Sequence, residues 1–376
     1  MLIDSTLREG AQAYGVYFGA GAKRRMAELL AAAGVDELEC GWVGQDGLEE
    51  FLTWAAETLP KPGNGLAPGG PALSLWCPCR EADVREAARL AQAGLIQRLN
   101  IGAPSSAQHR EKRLGLSQAE MAARVRGVVA TAISLGIDYV SVGLEDISRA
   151  DADEALALAK AAAGAGAARV RLSDTVGLLT PAATAALVGR FAQALAVPVA
   201  LHAHNDLGMA TANAVTALEH GAAFADVSVL GLGERAGIAA LEQVAAWANL
   251  RAEGTYDLRV LRALCLLAGQ AGKVPVARNR PVVGQDIFAA ESGIHVHGLL
   301  RDPSLFEPFA PEEVGASRRV GVGGKSGCAA LGQALERLRQ PSPPGARPDE
   351  GLLKRVRALG QRLGRPLTDS EILAVM

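Results

Sequence analysis

The chain has 376 residues, which is more than the roughly 250 that a barrel of eight β/α units needs. Lysine and arginine total 38 residues, aspartate and glutamate total 40, and the formal net charge is −2. This balance gives no electrostatic reason to expect a nucleic acid or an anionic membrane as a partner, and no apolar run reaches the roughly 18 residues of a membrane span.

Short apolar runs alternate eight times with alanine-rich amphipathic stretches. The predicted strands are residues 2–5, 35–42, 72–79, 96–103, 138–145, 168–174, 197–204 and 224–231. The predicted helices that follow them are 21–33, 45–58, 81–93, 117–135, 151–166, 180–195, 208–220 and 236–252. Most of the strands are nearly continuously apolar, as strands buried on both faces should be. Eight β/α units in series predict an α/β fold, a closed (β/α)8 TIM barrel, with an open doubly wound sheet as the alternative.

After residue 255 the alternation stops, and proline and glycine interrupt the pattern. We predict a TIM-barrel catalytic domain over 1–255, a smaller, mainly helical C-terminal region over 256–340, and a linker with a terminal helical pair over 341–376. The linker is the proline-rich run from Pro341 to Gly345. The last two regions are too short and too helical for a second substrate domain. We therefore expect an arm that covers the barrel or a neighbouring subunit.

The five cysteines are odd in number and scattered, so they do not indicate a disulfide framework. A reducing compartment suits them. The first predicted strand begins at residue 2, where a leader peptide would have to lie. We therefore expect a cytoplasmic protein.

Polar residues interrupt the predicted strands where each one ends. Because barrel enzymes place their chemistry at the C-terminal ends of the strands, these residues are the candidates for function. They are Arg8 and Glu9 after strand 1, Glu39 in strand 2, Arg80 after strand 3, Glu145 and Asp146 at strand 5, Asp174 and Thr175 at strand 6, and His202 and His204 in strand 7.

His202 and His204 are the strongest feature of this group. Residues i and i+2 of a strand point to the same side, so both imidazoles should face one place at the rim of the barrel. Glu9, from the strand next but one in a closed barrel, would complete a site of two nitrogens and one carboxylate with open positions. Such a site accepts zinc, manganese or magnesium. The alternative is a pair of buried core histidines beside an aspartate.

Two other segments have simpler interpretations. The run from Gly323 to Ser326 resembles a phosphate-binding loop, but Arg319 stands where the first glycine of that pattern belongs. We therefore do not expect nucleotide binding. The run from Arg110 to Arg113 is mixed in charge and is interpreted as a solvated loop beside the barrel mouth.

Four motifs in order identify a family. They are DSTLREG at 4–10, HAHNDLG at 202–208, GLGERAG at 231–237 and ESGIH at 291–295. Together they resemble the homocitrate, 2-isopropylmalate and citramalate synthase family of metal-dependent TIM-barrel enzymes. Segments 144–151 and 173–177 look most like the nitrogenase-type homocitrate synthases. The resemblance runs over nearly the whole chain.

The resemblance implies an acyltransferase that condenses acetyl-CoA with 2-oxoglutarate at one divalent metal ion. Its implied metal ligands are Glu9, His202 and His204, its catalytic residues are Arg8, Glu145 and His295, and its keto-acid pocket is lined by Gln12, Glu39, Arg80 and Thr175. Arg8 would neutralise charge on the keto oxygen, while Glu145 and His295 would move the methyl proton. His295 would act in the site of a partner subunit, which implies a homodimer.

The sequence departs from the family at five positions. Ile238 follows the GERAG turn in place of an asparagine that lies at or near the metal. The other departures are Ala200 for a glutamate, His297 for an aspartate, Phe306 for a catalytic tyrosine and Lys325 in an altered GGKSG segment. We still expect an active enzyme, because the metal ligands and Arg8 are present.

Three other functions stay open. The condensation could use another 2-oxo acid, such as pyruvate, 2-oxoisovalerate or oxaloacetate. A metal-dependent lyase or aldolase is a second alternative, although such lyases rely on a mobile-loop cysteine and none occurs between Cys79 and Cys265. A barrel that has lost its activity and serves as a partner or sensor is the third, favoured by Ile238, Phe306 and Lys325.

Overall fold

The computed structural model describes residues 1–62, 69–251, 256–339 and 349–376, and eight parallel strands run through the first part of these residues. The strands are β1 (Leu2–Asp4), β2 (Glu37–Trp42), β3 (Ala72–Pro78), β4 (Arg98–Pro104), β5 (Tyr139–Glu145), β6 (Arg169–Asp174), β7 (Val199–Ala203) and β8 (Phe224–Val227). They pair in chain order, and β1 pairs with both β2 and β8, so the sheet closes on itself. The predicted barrel is confirmed, and the open sheet is excluded.

Helices separate the strands, as the alanine-rich stretches predict. The α-helices within the described ranges are α1 (Ala20–Ala33), α2 (Leu48–Thr58), α3 (Glu81–Gln92), α4 (Ala107–Leu114), α5 (Gln118–Ser134), α6 (Ala152–Gly164), α7 (Pro181–Ala194), α8 (Ala210–Glu219), α9 (Leu241–Leu250), α10 (Leu258–Ala271), α11 (Gly293–Arg301), α12 (Cys328–Arg337), α13 (Glu350–Leu363) and α14 (Asp369–Ala374). α1 ends at Gly34, whose φ of 86° is the left-handed conformation that glycine adopts without strain. Over the part of the chain that the structure describes, no helix combines the length and the apolar character that a membrane crossing requires.

α4 corrects one prediction, because the run from Arg110 to Arg113 is helical and not a solvated loop. The side chain of Ser106 caps this helix by accepting a hydrogen bond from the His109 N–H at 3.1 Å. Arg110 is only 3% exposed and donates to Gln118 Oε1 at 2.6 Å. The mixed charge of the run therefore reflects one buried and several exposed positions on a helix.

The inside of the barrel contains a polar layer that the apolar strand pattern did not predict. Arg169 is fully buried and donates to both carboxylate oxygens of Glu37, at 2.8 and 3.0 Å. Asn100 accepts from Arg169 at 2.9 Å, and Arg98 donates to Glu37 at 2.7 Å. Buried charges are tolerated only when they are paired and hydrogen-bonded, and the two fully buried charges, on Arg169 and Glu37, have such partners.

The chain divides into two compact units, a barrel unit of Met1–Val276 and a C-terminal unit of Ala277–Met376. The predicted boundary at 255 is therefore too early. α10 belongs to the barrel unit because it packs against α1, and the chain just before it is anchored by the Asp257 N–H, which donates to Ala33 O at 3.0 Å.

The C-terminal unit has a hydrophobic core of its own. Val296 of α11, Leu331 of α12, Val356 of α13 and Ile372 of α14 belong to one buried cluster. The terminal helical pair therefore shares a core with the segment before it and is not a separate region, as 341–376 was predicted to be. The predicted linker from Pro341 to Gly345 lies outside the described residues.

Candidate active site

Glu9, His202 and His204 meet at the C-terminal end of the barrel. All three residues are buried, and one ligand atom of each lies within 4.8 Å of the other two. His202 Nε2 lies 3.4 Å from His204 Nε2 and 3.9 Å from Glu9 Oε2, and His204 Nε2 lies 4.0 Å from Glu9 Oε1. The structure therefore brings together the three predicted metal ligands.

The protonation states of these groups suit a metal ion. Burial by itself would raise the pKa of Glu9, but the guanidinium of Arg8 and the two histidines outweigh it and lower this pKa to about 2. Burial, together with the neighbouring His202, lowers the pKa of His204 to about 3. Near neutral pH the cluster thus offers an ionised carboxylate and a neutral imidazole, which are the forms that bind a divalent cation.

Asp226 of β8 orients His202. The Oδ2 atom of Asp226 lies 2.8 Å from His202 Nδ1, and the Nε2 atom of the same ring faces the cluster. Carboxylates that hold the second nitrogen of a metal-binding histidine are a recurrent feature of metal sites. His204 Nδ1 is buried and has no hydrogen-bond partner within the described ranges. The donor set and its surroundings therefore fit a divalent ion.

The GERAG turn holds Glu9 from the other side. The Glu234 N–H donates to Glu9 Oε1 at 3.1 Å. Gly237 has a φ of 87°, and a Cβ atom there would lie 1.8 Å from Gly231 O. Ile238, the departure after this turn, is 2% exposed and its backbone pairs with that of His204. Its aliphatic side chain has no donor atom for a metal.

A cavity of about 210 Å³ opens beside the cluster. Seven of the predicted site residues line it, namely Arg8, Glu9, Gln12, Glu145, Thr175, His202 and His204. Glu145 is held by an ion pair with Arg113 of α4, and Thr175 Oγ1 accepts from the Asp146 N–H at 2.9 Å. Asp146 has a φ of 61°, an uncommon conformation that turns the chain sharply after Glu145.

Two residues predicted to line the keto-acid pocket, Glu39 and Arg80, do not line this cavity. Glu39 is fully buried and is not among the residues that line the cavity, because its carboxylate accepts from Ser5 at 2.6 Å, Arg8 at 2.6 Å, Asn100 at 2.9 Å and Arg171 at 3.1 Å. Arg80 is exposed and forms an ion pair with Asp83 at 2.5 Å outside the cavity. Glu39 therefore positions other side chains, and Arg80 is not part of this site.

His295 belongs to the C-terminal unit. It lies on α11, its ring centroid is 4.6 Å from that of Phe306, and it lines a separate cavity there. Its role in a partner's site stays a prediction. The nearby glycine-rich segment is used internally, since the Gly323 N–H donates to Ser326 Oγ at 2.8 Å and the Lys325 N–H to Glu291 Oε1 at 3.2 Å.

Sequence reasoning missed several lining residues, which are Trp76, Asn100, Arg113, Arg171, Ser173 and Glu234. Asn100 and Arg171 lie inside strands, and a polar residue in an otherwise apolar strand was the signal that could have found them. The prediction from the sequence rests on polar residues at the ends of strands, so it does not include these two. Arg113 had no such signal, because its approach depends on the fold of α4.

Comparisons with known proteins identify the family of the chain. Residues 1–265 match the HMGL-like family, and residues 282–342 match the homocitrate synthase post-HMGL domain-like family. The chain is 40% identical to a homocitrate synthase from Frankia alni over 335 residues, which cover 89% of this chain and 92% of that protein. It is 35% identical to a 2-phosphonomethylmalate synthase from Streptomyces rubellomurinus, over 100% of this chain and 97% of that protein.

Among solved structures, the barrel resembles a hydroxymethylglutaryl-CoA lyase from Pseudomonas aeruginosa. The TM-score is 0.61 at 22% identity, and the match covers 75% of this chain and 95% of that one. At this identity the likeness shows the fold alone. The family matches and the 40% identical relative show more: the chain belongs to the HMGL-like family, as a member of its homocitrate synthase branch.

Proposed function

We propose that this protein condenses acetyl-CoA with 2-oxoglutarate to give homocitrate and CoA. The observation that carries the proposal is the buried cluster of Glu9, His202 and His204 beside a small cavity that also presents Arg8 and Glu145. The Frankia alni relative, which is named a homocitrate synthase, supports the reaction. A divalent ion held by the cluster, manganese, magnesium or zinc, would make the keto group a stronger electrophile.

The reaction has two balanced steps. The methyl group of acetyl-CoA loses a proton to a base, and its carbon forms a bond with the keto carbon, whose oxygen takes up the electron pair and then a proton. Water then attacks the thioester carbonyl, the carbon–sulfur bond breaks, and CoA leaves as a thiol. Because hydrolysis of the thioester is strongly favourable, the condensation is drawn to completion.

We assign to Arg8 the role of stabilising the negative charge that develops on the keto oxygen. Its Nε donates to Glu39 at 2.6 Å and its Nη1 to Glu9, so the guanidinium is held rigidly at the cavity. Burial would lower its pKa, but Glu39 and Glu9 raise it, and Arg8 therefore stays charged. A fixed cation in a site shielded from water stabilises an oxyanion more than a mobile one does.

Glu145 is the candidate base in the barrel, and it would share the movement of protons with His295. Glu145 lines the cavity, whereas His295 would come from the partner subunit of a homodimer. Gln12 and Thr175 would contact the keto acid. We expect the enzyme to work in the cytoplasm, where both substrates are available.

The test is release of free thiol from acetyl-CoA by the metal-loaded protein with a panel of 2-oxo acids. We expect turnover with 2-oxoglutarate well above the others, and loss of turnover in His202→Ala. Turnover with another 2-oxo acid would support the condensation reaction but show that 2-oxoglutarate is not the substrate. An absence of thiol release with every acid and metal would overturn the proposal.

A second candidate is the same condensation with another 2-oxo acid. The observation that favours it is the 35% identity, over the whole chain, to the 2-phosphonomethylmalate synthase. The lyase alternative has less support. No cysteine among the described residues lines the cavity, and burial raises the pKa of Cys79 to about 12, so its thiol is not activated.

A further inference from the structure

A buried carboxylate that the proposed mechanism does not use lies directly behind Glu145. Asp146 is fully buried, and its φ of 61° turns the chain at the end of β5. Arg149 donates to both of its carboxylate oxygens, from Nε to Oδ1 at 2.8 Å and from Nη2 to Oδ2 at 2.9 Å. Ser106 donates its hydroxyl to Oδ2, and His109 Nε2 lies 3.8 Å from the same atom. Asp146 therefore joins the turn after β5 to the start of α4.

The peptide group between Glu145 and Asp146 is fixed on both of its sides. Its carbonyl oxygen, Glu145 O, accepts from the Ser105 N–H at 3.0 Å and from Ser105 Oγ at 2.7 Å. Its N–H group, on Asp146, donates to Thr175 Oγ1 at 2.9 Å. The main chain at Glu145 is thus tied to the residues that follow β4 and β6, the two strands next to β5. The left-handed turn keeps this peptide in place, and aspartate and asparagine tolerate such a turn better than other residues with side chains.

The carboxylate of Glu145 is fixed as well, by α4 and by β4. Arg113, in the last turn of α4, donates to Glu145 Oε2 at 2.5 Å. The other oxygen, Oε1, lies over Gly102 of β4, where a Cβ atom would be only 2.5 Å from it. At the start of the same helix, Ser106 Oγ serves as the N-cap and donates to Asp146. One hydroxyl therefore links Asp146 to the helix that carries Arg113.

We infer that Asp146 is a positioning residue for Glu145, the proposed base. It fixes the main chain of Glu145 through the turn, and it fixes the ion pair of Glu145 with Arg113 through α4. The inference rests on the proposed function. A base must lie within hydrogen-bond reach of the proton that it removes, and a displacement of about 1 Å can lower a rate by about 100-fold. Asp146 is not among the residues that line the cavity, so its carboxylate acts on the reaction through Glu145.

A purely structural role is the competing interpretation, in which the ion pair of Asp146 with Arg149 only stabilises the turn. The two roles differ in how the effects of substitutions combine. A residue that acts through Glu145 has no further effect once the Glu145 carboxylate is removed. A general loss of structure lowers the rate whether or not that carboxylate is present.

The test is a double-mutant cycle on thiol release from acetyl-CoA, with the manganese-loaded protein and the 2-oxo acid that the wild type turns over best. Asp146→Asn removes the charge but keeps a residue that tolerates the turn, and it keeps the N–H group that donates to Thr175. We expect kcat to fall by about 10- to 100-fold while KM for the 2-oxo acid changes less than about 3-fold. In a Glu145→Gln background the same substitution should change kcat by less than about 2-fold.

A matched pair of helix caps separates positioning from stability. Ser106→Ala removes the hydroxyl that links Asp146 to α4, and Thr180→Ala removes the hydroxyl that caps α7 by accepting from the Ala183 N–H at 3.2 Å. Both should lower the urea midpoint of unfolding by a similar amount, because each deletes one N-cap. Only Ser106→Ala should lower kcat, by about 3- to 10-fold, and only while the Glu145 carboxylate is present. This pair keeps the test decisive if Asp146→Asn does not fold.

The outcomes separate the inference from the proposed function. Equal losses of kcat from Asp146→Asn with and without the Glu145 carboxylate would overturn the inference, and so would equal kcat values for Ser106→Ala and Thr180→Ala. Both results leave the condensation standing, since the wild type still releases CoA. Full activity of Glu145→Gln would remove the proposed base and the inference with it. An absence of thiol release from the wild type with every 2-oxo acid would overturn the proposed function and, with it, the inference.

Discussion

Glu9 and Glu39 both pair with Arg8, yet only Glu9 faces the cavity. Burial would raise the pKa of Glu39, but Arg8 and Arg171 hold it well below its usual range. The carboxylate therefore stays ionised between two arginines that line the cavity. In the proposed site Glu9 would offer its charge to a metal ion, whereas Glu39 holds Arg8 and Arg171 in place.

A first prediction concerns a single residue, Asp226. Asp226→Asn should weaken metal binding by about 10- to 100-fold, because His202 loses the carboxylate that orients it. Titration of the apo-protein with zinc or manganese measures the effect. Asp153→Asn, at an exposed ion pair with Arg190, is the matched control and should bind metal as the wild type does. Equal affinities in the two variants would show that Asp226 has no part in metal binding.

At the scale of elements, short turns after the strands decide where the site residues lie. The turn from Gly231 to Gly237 supplies the N–H group that holds Glu9. The extra helix α4 brings Arg113 to Glu145. A turn depends on local glycine chemistry, and its sequence is easily recognised. The approach of α4 to Glu145 depends on tertiary packing, so it cannot be recognised from the sequence.

The GERAG turn gives the second prediction. Gly237→Ala should destabilise the barrel by about 1–3 kcal/mol and weaken metal binding, because alanine strains the backbone at a φ of 87° and its Cβ meets Gly231 O. Urea unfolding and metal titration measure the two effects. Gly189→Ala on α7 is the control. A Cβ atom there meets nothing within 4 Å, and the change should stabilise the helix by about 0.5–1 kcal/mol. A Gly237→Ala protein as stable as the wild type would contradict the argument.

At the scale of the whole molecule, the polar layer inside the barrel makes stability depend on pH. Burial would raise the pKa of Glu37, but Arg169 and Arg98 lower it from 4.5 to about 2. The unfolded chain therefore binds a proton at this carboxylate at a higher pH than the folded one. Its contribution to stability is complete above about pH 5 and is lost as the pH falls towards 2.

This dependence gives the third prediction. The free energy of unfolding of the wild type should fall between pH 5 and pH 2, with a contribution from Glu37 of up to about 1.4 kcal/mol per pH unit. Glu37→Gln should be about 3–5 kcal/mol less stable at neutral pH, because Arg169 stays buried without its partner, and should show a shallower pH dependence. Urea unfolding from pH 2.5 to 7 measures both. Exposed Glu57→Gln is the control and should keep the wild-type slope; an equal slope in Glu37→Gln would contradict the assignment.

Removal of the metal gives the fourth prediction. A ligand that binds only the folded protein stabilises it by about 2.7 kcal/mol at a concentration of 100 times its Kd. Addition of manganese to the chelator-treated wild type should therefore raise the melting temperature, and His202→Ala should show no such rise. Calorimetric melting with and without manganese measures this. An equal rise in both proteins would mean that the ion binds elsewhere.

The order of the β/α units and the three residues of the buried cluster could be predicted from the sequence alone, because strand periodicity and the ends of barrel strands are local properties. Asn100 and Arg171 could not be assigned to the cavity in this way, since a polar residue inside a strand can equally belong to a buried ion-pair layer, as Arg169 does. The place of α10 and the common core of α11 to α14 were also decided only by tertiary packing. Glu39 shows the same limit, because its four hydrogen-bond donors come from the turn after β1, from β4 and from β6, which only closure of the barrel brings together.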